Sequence, residues 1–182
     1  MAGGKLKEKD PMRRLGTRYL KWTAYGLLIL LACIVQAAPR MIPSIAGARP
    51  LLIIPMVVCI AMFVGPVGGG AAGVAGGLLW DMFADRLLGF NALLLLCIGC
   101  AAGLLVRLLI RNNLLSALLL CAAALLLQGM ADWFFTYVLM AEREPLFVLI
   151  HQILPNMLYS LVVSAPLYGI ALLTARILRN RE

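Results

Sequence analysis

Residues 114–138, LLSALLLCAAALLLQGMADWFFTYV, contain one charged side chain, Asp132. A stretch so long and so apolar belongs in the core of a large protein or in a bilayer. The hydrocarbon layer, about 30 Å thick, asks a helix for about 20 such residues. Six apolar segments follow one another along the chain: Trp22–Ala38, Pro50–Val64, Val67–Phe83, Asn91–Val106, Leu114–Val138 and Pro155–Leu178. Only 13% of the residues are charged and 63% are hydrophobic, where a soluble domain has about 25% and about half. Too little polar material remains to coat six apolar runs in water. The reading is therefore an all-α integral membrane protein, a compact bundle of six short transmembrane helices over residues 22–182, behind a basic tail at residues 1–21.

The breaks between runs carry turn chemistry. Pro39-Arg40 and Arg49-Pro50 bracket the first loop, Gly65-Pro66 makes the second, and Arg107–Asn113 and Ala141–Pro145 supply two more. Leu146–Leu154, with His151, reads as an interfacial lead-in to the last helix. The second segment is the weak one, because it is short and contains Pro55. With six spans both termini share a side. Lys5, Lys7, Lys9, Arg13, Arg14, Arg18, Lys21, Arg107, Arg111, Arg176, Arg179 and Arg181 then lie on that side, against Arg40, Arg49, Arg86 and Arg143 on the other. The positive-inside rule puts both termini in the cytoplasm. No cleavable signal peptide is expected, and the tail would touch anionic lipid heads rather than nucleic acid.

The third segment raises a separate question. Glycine weakens a helix by about 1 kcal/mol against alanine, yet Gly65, Gly69, Gly73 and Gly77 recur every four residues, with Gly68, Ala72 and Gly76 beside them. Residues four apart share a helix face. In lipid, such faces let two backbones approach closely and pack by dispersion. The expectation is a helix-packing ridge, its first turn open to being loop, with Gly73 and Gly77 directly against another helix. The same step continues to Asp81 and Asp85. Asp85, beside Arg86, is placed in the outer loop. Asp81 is either a boundary carboxylate beside Trp80 or a hydrogen-bond anchor.

Asp132 lies inside an apolar run with Gln128 one turn earlier, and intramembrane carboxyls face the bundle or a cavity. It is either protonated or paired with polar groups of another helix. Asn156, Ser160 and Ser164 step by four along the last segment and supply candidates. By depth Asp81, Asp132 and Asn156 all fall in the outer half. They form one polar layer with Gln128 and Ser160, or else they are independent interfacial residues.

Catalytic chemistry finds little support. Cys33, Cys59, Cys97, Cys100 and Cys121 all fall in apolar runs, which is not a disulfide framework. Cys97-x-x-Cys100 could cycle between thiol and disulfide only with an exposed thiolate and a relay partner, and among Gly99, Ala101 and Gly103 it reads as small-residue packing. His151 has no neighbouring ligand set. No nucleophile–base pair or phosphate loop emerges. No catalytic residue, metal or cofactor is expected.

Gly73-x-x-x-Gly77-Leu78-x-x-Asp81, followed by Gly89-x-x-Ala92-Leu93, resembles the signature region of the rod shape-determining MreD family. Pro155-Asn-Met-Leu-Tyr159, with Pro166-Leu-Tyr168, resembles that family's last span, and the likeness covers residues from about 22 to 178. The basic stretch before Trp22 is longer than the family pattern. The resemblance implies a non-enzymatic inner-membrane component of the bacterial cell-elongation complex. Such a component binds MreC and helps couple MreB filaments to the lateral-wall peptidoglycan synthases, RodA and its penicillin-binding partner. It also implies a fold similar to the substrate-binding subunits of energy-coupling-factor transporters. That relation supplies the alternative, a small-molecule-binding subunit of an importer, which would need a pocket of convergent polar groups.

Overall fold

The computed structural model describes residues 11–38, 50–83, 88–109, 112–135 and 153–179. These form six helices: α1 (Pro11–Ala37), α2 (Ile53–Val64), α3 (Pro66–Phe83), α4 (Phe90–Leu108), α5 (Leu114–Trp133) and α6 (Leu154–Arg179). The expected loops at residues 39–49 and 141–145, Asp85 with Arg86, His151 and the first ten residues lie outside the described residues.

The six expected segments become six helices, but not six equal ones. Four are long and apolar enough to cross a bilayer: α1 from Tyr19, α4, α5, and α6 to Leu178. α3 is diluted by glycine and carries Asp81. α2 has 12 residues, about 18 Å at 1.5 Å per residue, short of the hydrocarbon thickness. It starts at Ile53 rather than Pro50, so Pro55 falls in its first turn. A missing N–H there costs no intrahelical bond. At the other end of the basic tail's sequence, α1 reaches back to Pro11.

α2 is the centre of the bundle. Ile53–Met62 are all buried, as befits a helix apolar on every side. Its orphan terminal groups must then be met by neighbours. Gln36 Oε1 of α1 accepts from Leu52 N (2.7 Å) and Ile53 N (3.0 Å). Ser160 Oγ of α6 accepts from Leu51 N at 2.7 Å. At the far end Gly65 N donates to Ala61 O (2.9 Å) and Asn112 Nδ2 donates to Met62 O (3.3 Å). Tyr168 OH of α6 donates to Asn112 Oδ1 at 3.3 Å, with its ring 5.8 Å from Phe63.

Gly65 has φ +91°, a conformation that side chains resist, and Pro66 opens α3 where its fixed φ suits the first helical position. The chain so reverses within two residues. Consecutive helices run antiparallel. One end of the bundle gathers the starts of α1, α3 and α5 with the ends of α2, α4 and α6, and holds Lys21, Arg107 and Arg176. The opposite end holds Gln36, Asp81, Asn91, Gln128, Asp132, Asn156 and Ser160. Leu27, Leu31 and Ile34 of α1, Leu115, Leu119 and Leu126 of α5, and Val162 and Leu173 of α6 are exposed. That apolar exterior suits lipid.

Candidate functional site

Between α3 and α4 the glycine backbones pack directly on one another. A methyl on Gly73 would overlap the Leu95 carbonyl, 2.5 Å from its carbon, and one on Gly77 would lie 2.5 Å from Ala92 N. A methyl on Gly69 would lie 2.5 Å from Gly99 O and would also strike Ala61 of α2. α4 answers in kind: a methyl on Gly99 would lie 2.6 Å from the Gly69 carbonyl carbon, and one on Gly103 2.6 Å from that of Gly65. The glycines of two helices thus interlock, backbone on backbone. Gly65 itself stands in the turn, not on the helix, so it serves the seam through its main chain.

The second row faces the other way. Gly76 would meet Ile53 and Val57 of α2 and Ile29 of α1 at 3.1–3.4 Å, and Gly68 abuts Val64. Glycine on two faces lets α3 fit between α4 and the α1–α2 pair. The paired cysteines divide across this seam. A methyl on Gly70 would lie 2.5 Å from Cys100 Sγ, whereas Cys97 is exposed. Small-residue packing therefore describes Cys100 and not Cys97, because residues three apart on a helix differ by about a sixth of a turn.

At the end of the seam stands Asp81, 2% exposed. Its Oδ2 accepts from Gly89 N (2.8 Å) and Ala92 N (3.4 Å), and its Oδ1 from Asn91 Nδ2 (2.8 Å) and Asn91 N (3.3 Å). Three of these donors, Gly89 N, Asn91 N and Ala92 N, are the backbone N–H groups at the start of α4. Gly89, the residue at that helix's N-cap, has φ +98° and no side chain to cap with. Asp81 supplies the cap from α3, and a carboxylate there also meets the positive end of the helix dipole. The tight seam and the aspartate are one device, since backbone contact at Gly77 and Ala92 puts the α4 N-terminus within reach of a side chain one turn further on.

The network continues into α5. Asn91 Oδ1 accepts from Gln128 Nε2 at 2.6 Å, both residues being buried. Gln128 Oε1 has no hydrogen-bond partner among the described residues. Asp81, Asn91 and Gln128 so tie α3, α4 and α5 at one level. Ser160 belongs elsewhere: its hydroxyl donates to Asn156 O at 2.6 Å and accepts from Leu51 N, so it anchors the start of α2. Asp132 and Asn156 are half-buried at the same end. Ser164 donates to Leu161 O.

Sequence reasoning overlooked Asn91, Gln36 and Asn112. Each stands near the boundary of an apolar run, where a polar residue needs no special account. The available signal was the absence of a capping side chain at Gly89, which obliges something else to meet the first N–H groups of α4. Chemically the network is made of hydrogen-bond acceptors and amides, an arrangement for holding helices in place. Among the described residues no three of His, Cys, Asp or Glu come together as a metal site would need.

A family model described as rod shape-determining protein MreD matches residues 17–176. No curated protein and no solved structure matches the chain.

Proposed function

The chain belongs to the MreD family of rod shape-determining membrane proteins, and from that premise we propose that it serves cell elongation as a rigid, non-enzymatic scaffold that binds MreC. Through MreC it helps couple MreB filaments to RodA and its penicillin-binding partner at the lateral wall. It sits in the inner membrane as a multi-pass protein with both termini cytoplasmic. The grouping of Lys21, Arg107 and Arg176 at one end of the bundle supports that orientation.

The observation that carries the scaffold reading is the locked α3–α4 seam closed by Asp81. The buried polar groups there are spent on joining α3, α4 and α5 to one another. A bundle held in this way presents partners with fixed helix faces, and its exposed leucines, isoleucines and valines form those faces.

The test is copurification. The tagged chain, extracted in mild detergent from its own cells, should bring down MreC. Recovery of a transporter ATPase with no MreC would overturn the scaffold reading in favour of the importer subunit.

A further inference from the structure

At the end of the bundle where α1 begins and α2 and α6 end, a cavity of about 600 Å³ opens. Its walls come from Lys21 and Trp22 of α1, Phe63 of α2, Asn112 before α5, and Leu172 and Arg176 of α6. Pockets of roughly 300–1,000 Å³ hold a whole small ligand. Lys21 and Arg176 bring two cations to its lining.

Depth decides what the cations face. Lys21 stands two residues inside the apolar span that starts at Tyr19, and Arg176 two residues before the end of the span that closes at Leu178. Both therefore sit at headgroup level, where long basic side chains extend their charge to the interface and tryptophan favours the same layer. Phe63 and Leu172 make the neighbouring wall apolar. A soluble anion would use the cations and leave that wall wet. A phospholipid uses both, with its phosphate at Lys21 and Arg176 and its glycerol and first methylenes against the apolar side. Asn112, whose carboxamide already bonds Met62 O and Tyr168 OH, fixes the floor of the cavity to α2 and α6.

The geometry points to a specific anionic-phospholipid site in this cavity, with Lys21 and Arg176 holding the headgroup phosphate. The assignment rests on the chain's place in a membrane and not on its binding of MreC. Basic pockets between membrane helices are a recurrent way to hold anionic headgroups. Occupancy would clamp the start of α1 to the end of α6, so the lipid would act as a strut between the first and last helices.

The experiment uses the full chain purified in neutral detergent. Phosphatidylglycerol and phosphatidylcholine are titrated separately, and bound lipid is counted by native mass spectrometry. The wild type should retain phosphatidylglycerol in preference to phosphatidylcholine. Lys21→Gln with Arg176→Gln should lower that affinity roughly fivefold for each cation removed. Ala175→Trp, which fills the cavity and keeps both cations, should also lower it. Arg107→Gln, a loss of charge at the same end of the bundle from a residue that does not line the cavity, should not. Thermal unfolding in phosphatidylcholine confirms that each variant is folded. Equal retention of the two lipids would overturn the proposal. So would an equal per-charge loss from Arg107→Gln, or displacement of the lipid by millimolar inorganic phosphate.

Discussion

Alanine at Gly73 is the smallest change that tests the α3–α4 seam. Two effects of opposite sign compete. Alanine favours the helix over glycine by about 1 kcal/mol. Its methyl, however, would lie 2.5 Å from the Leu95 carbonyl carbon and closer still to the oxygen, where ordinary contact begins at 3.4 Å. The obstruction is backbone, so no rotamer change relieves it, and α3 and α4 must part by about 0.9 Å or more. Overfilling of this kind costs roughly 1–3 kcal/mol, and lipid offers little hydrophobic drive to press the helices together again. The seam also sets the reach of Asp81. Carried undiminished to that end, the same displacement would stretch the 2.8 Å bond from Gly89 N past the 3.5 Å limit of a hydrogen bond. Bonds to a charged group contribute about 1.5–3 kcal/mol each. The net expectation for Gly73→Ala is a loss of about 2–4 kcal/mol, read by reversible unfolding in detergent. Gly26 and Gly169 are the controls, since a methyl on either meets nothing within 4 Å. There the propensity term acts alone, and Gly169→Ala should gain up to about 1 kcal/mol. Equal stabilities for Gly73→Ala and Gly169→Ala would refute the argument.

Asp81→Leu should cost about 3–5 kcal/mol, because it strands buried N–H donors at the start of α4. Asp81→Asn keeps one acceptor and should lose about half as much, and identical unfolding midpoints for the two variants would remove the capping role. Gln36→Leu leaves Leu52 N and Ile53 N without their acceptor and should destabilise the bundle by about 1–3 kcal/mol, with faster amide exchange at the start of α2. Unchanged exchange there would mean that α2 is held by packing alone.

Much of this was legible in the sequence for a specific reason. The four-residue spacing of Gly69, Gly73 and Gly77 is a statement about one helix face, and periodicity is the form in which a sequence records a face. The position of Asp81 on the same step follows from the same rule. What the spacing does not record is the partner. That α4 closes on the first row and α1 with α2 on the second follows from the counter-glycines at Gly99 and Gly103 and from the bulk of Ile29, Ile53 and Val57, which only the assembled fold brings together. The source of the cap was hidden likewise, since Gly89 shows only that some other group must meet the first N–H groups of α4 and not which helix supplies it. α2 illustrates the reverse difficulty. Pro55 and a short apolar run are marks against a span in isolation, and become reasonable once the helix is wrapped in protein and its ends are tied by Gln36, Ser160 and Asn112.

Those ties set an order of assembly. Leu51 N finds its acceptor on Ser160, 109 residues later in the chain, and Met62 O its donor on Asn112, 50 residues later. During synthesis α2 emerges while both are still unmade. Contacts so distant in sequence form late, because a long loop must close before they repay its entropy. The central helix is thus among the first made and the last completed. A ribosome that stops before α6 leaves a short apolar helix bare on the side α6 would cover and with Leu51 N unmet, which is the kind of exposed segment that quality-control proteases recognise. The innermost piece of the molecule reports whether the chain has been finished.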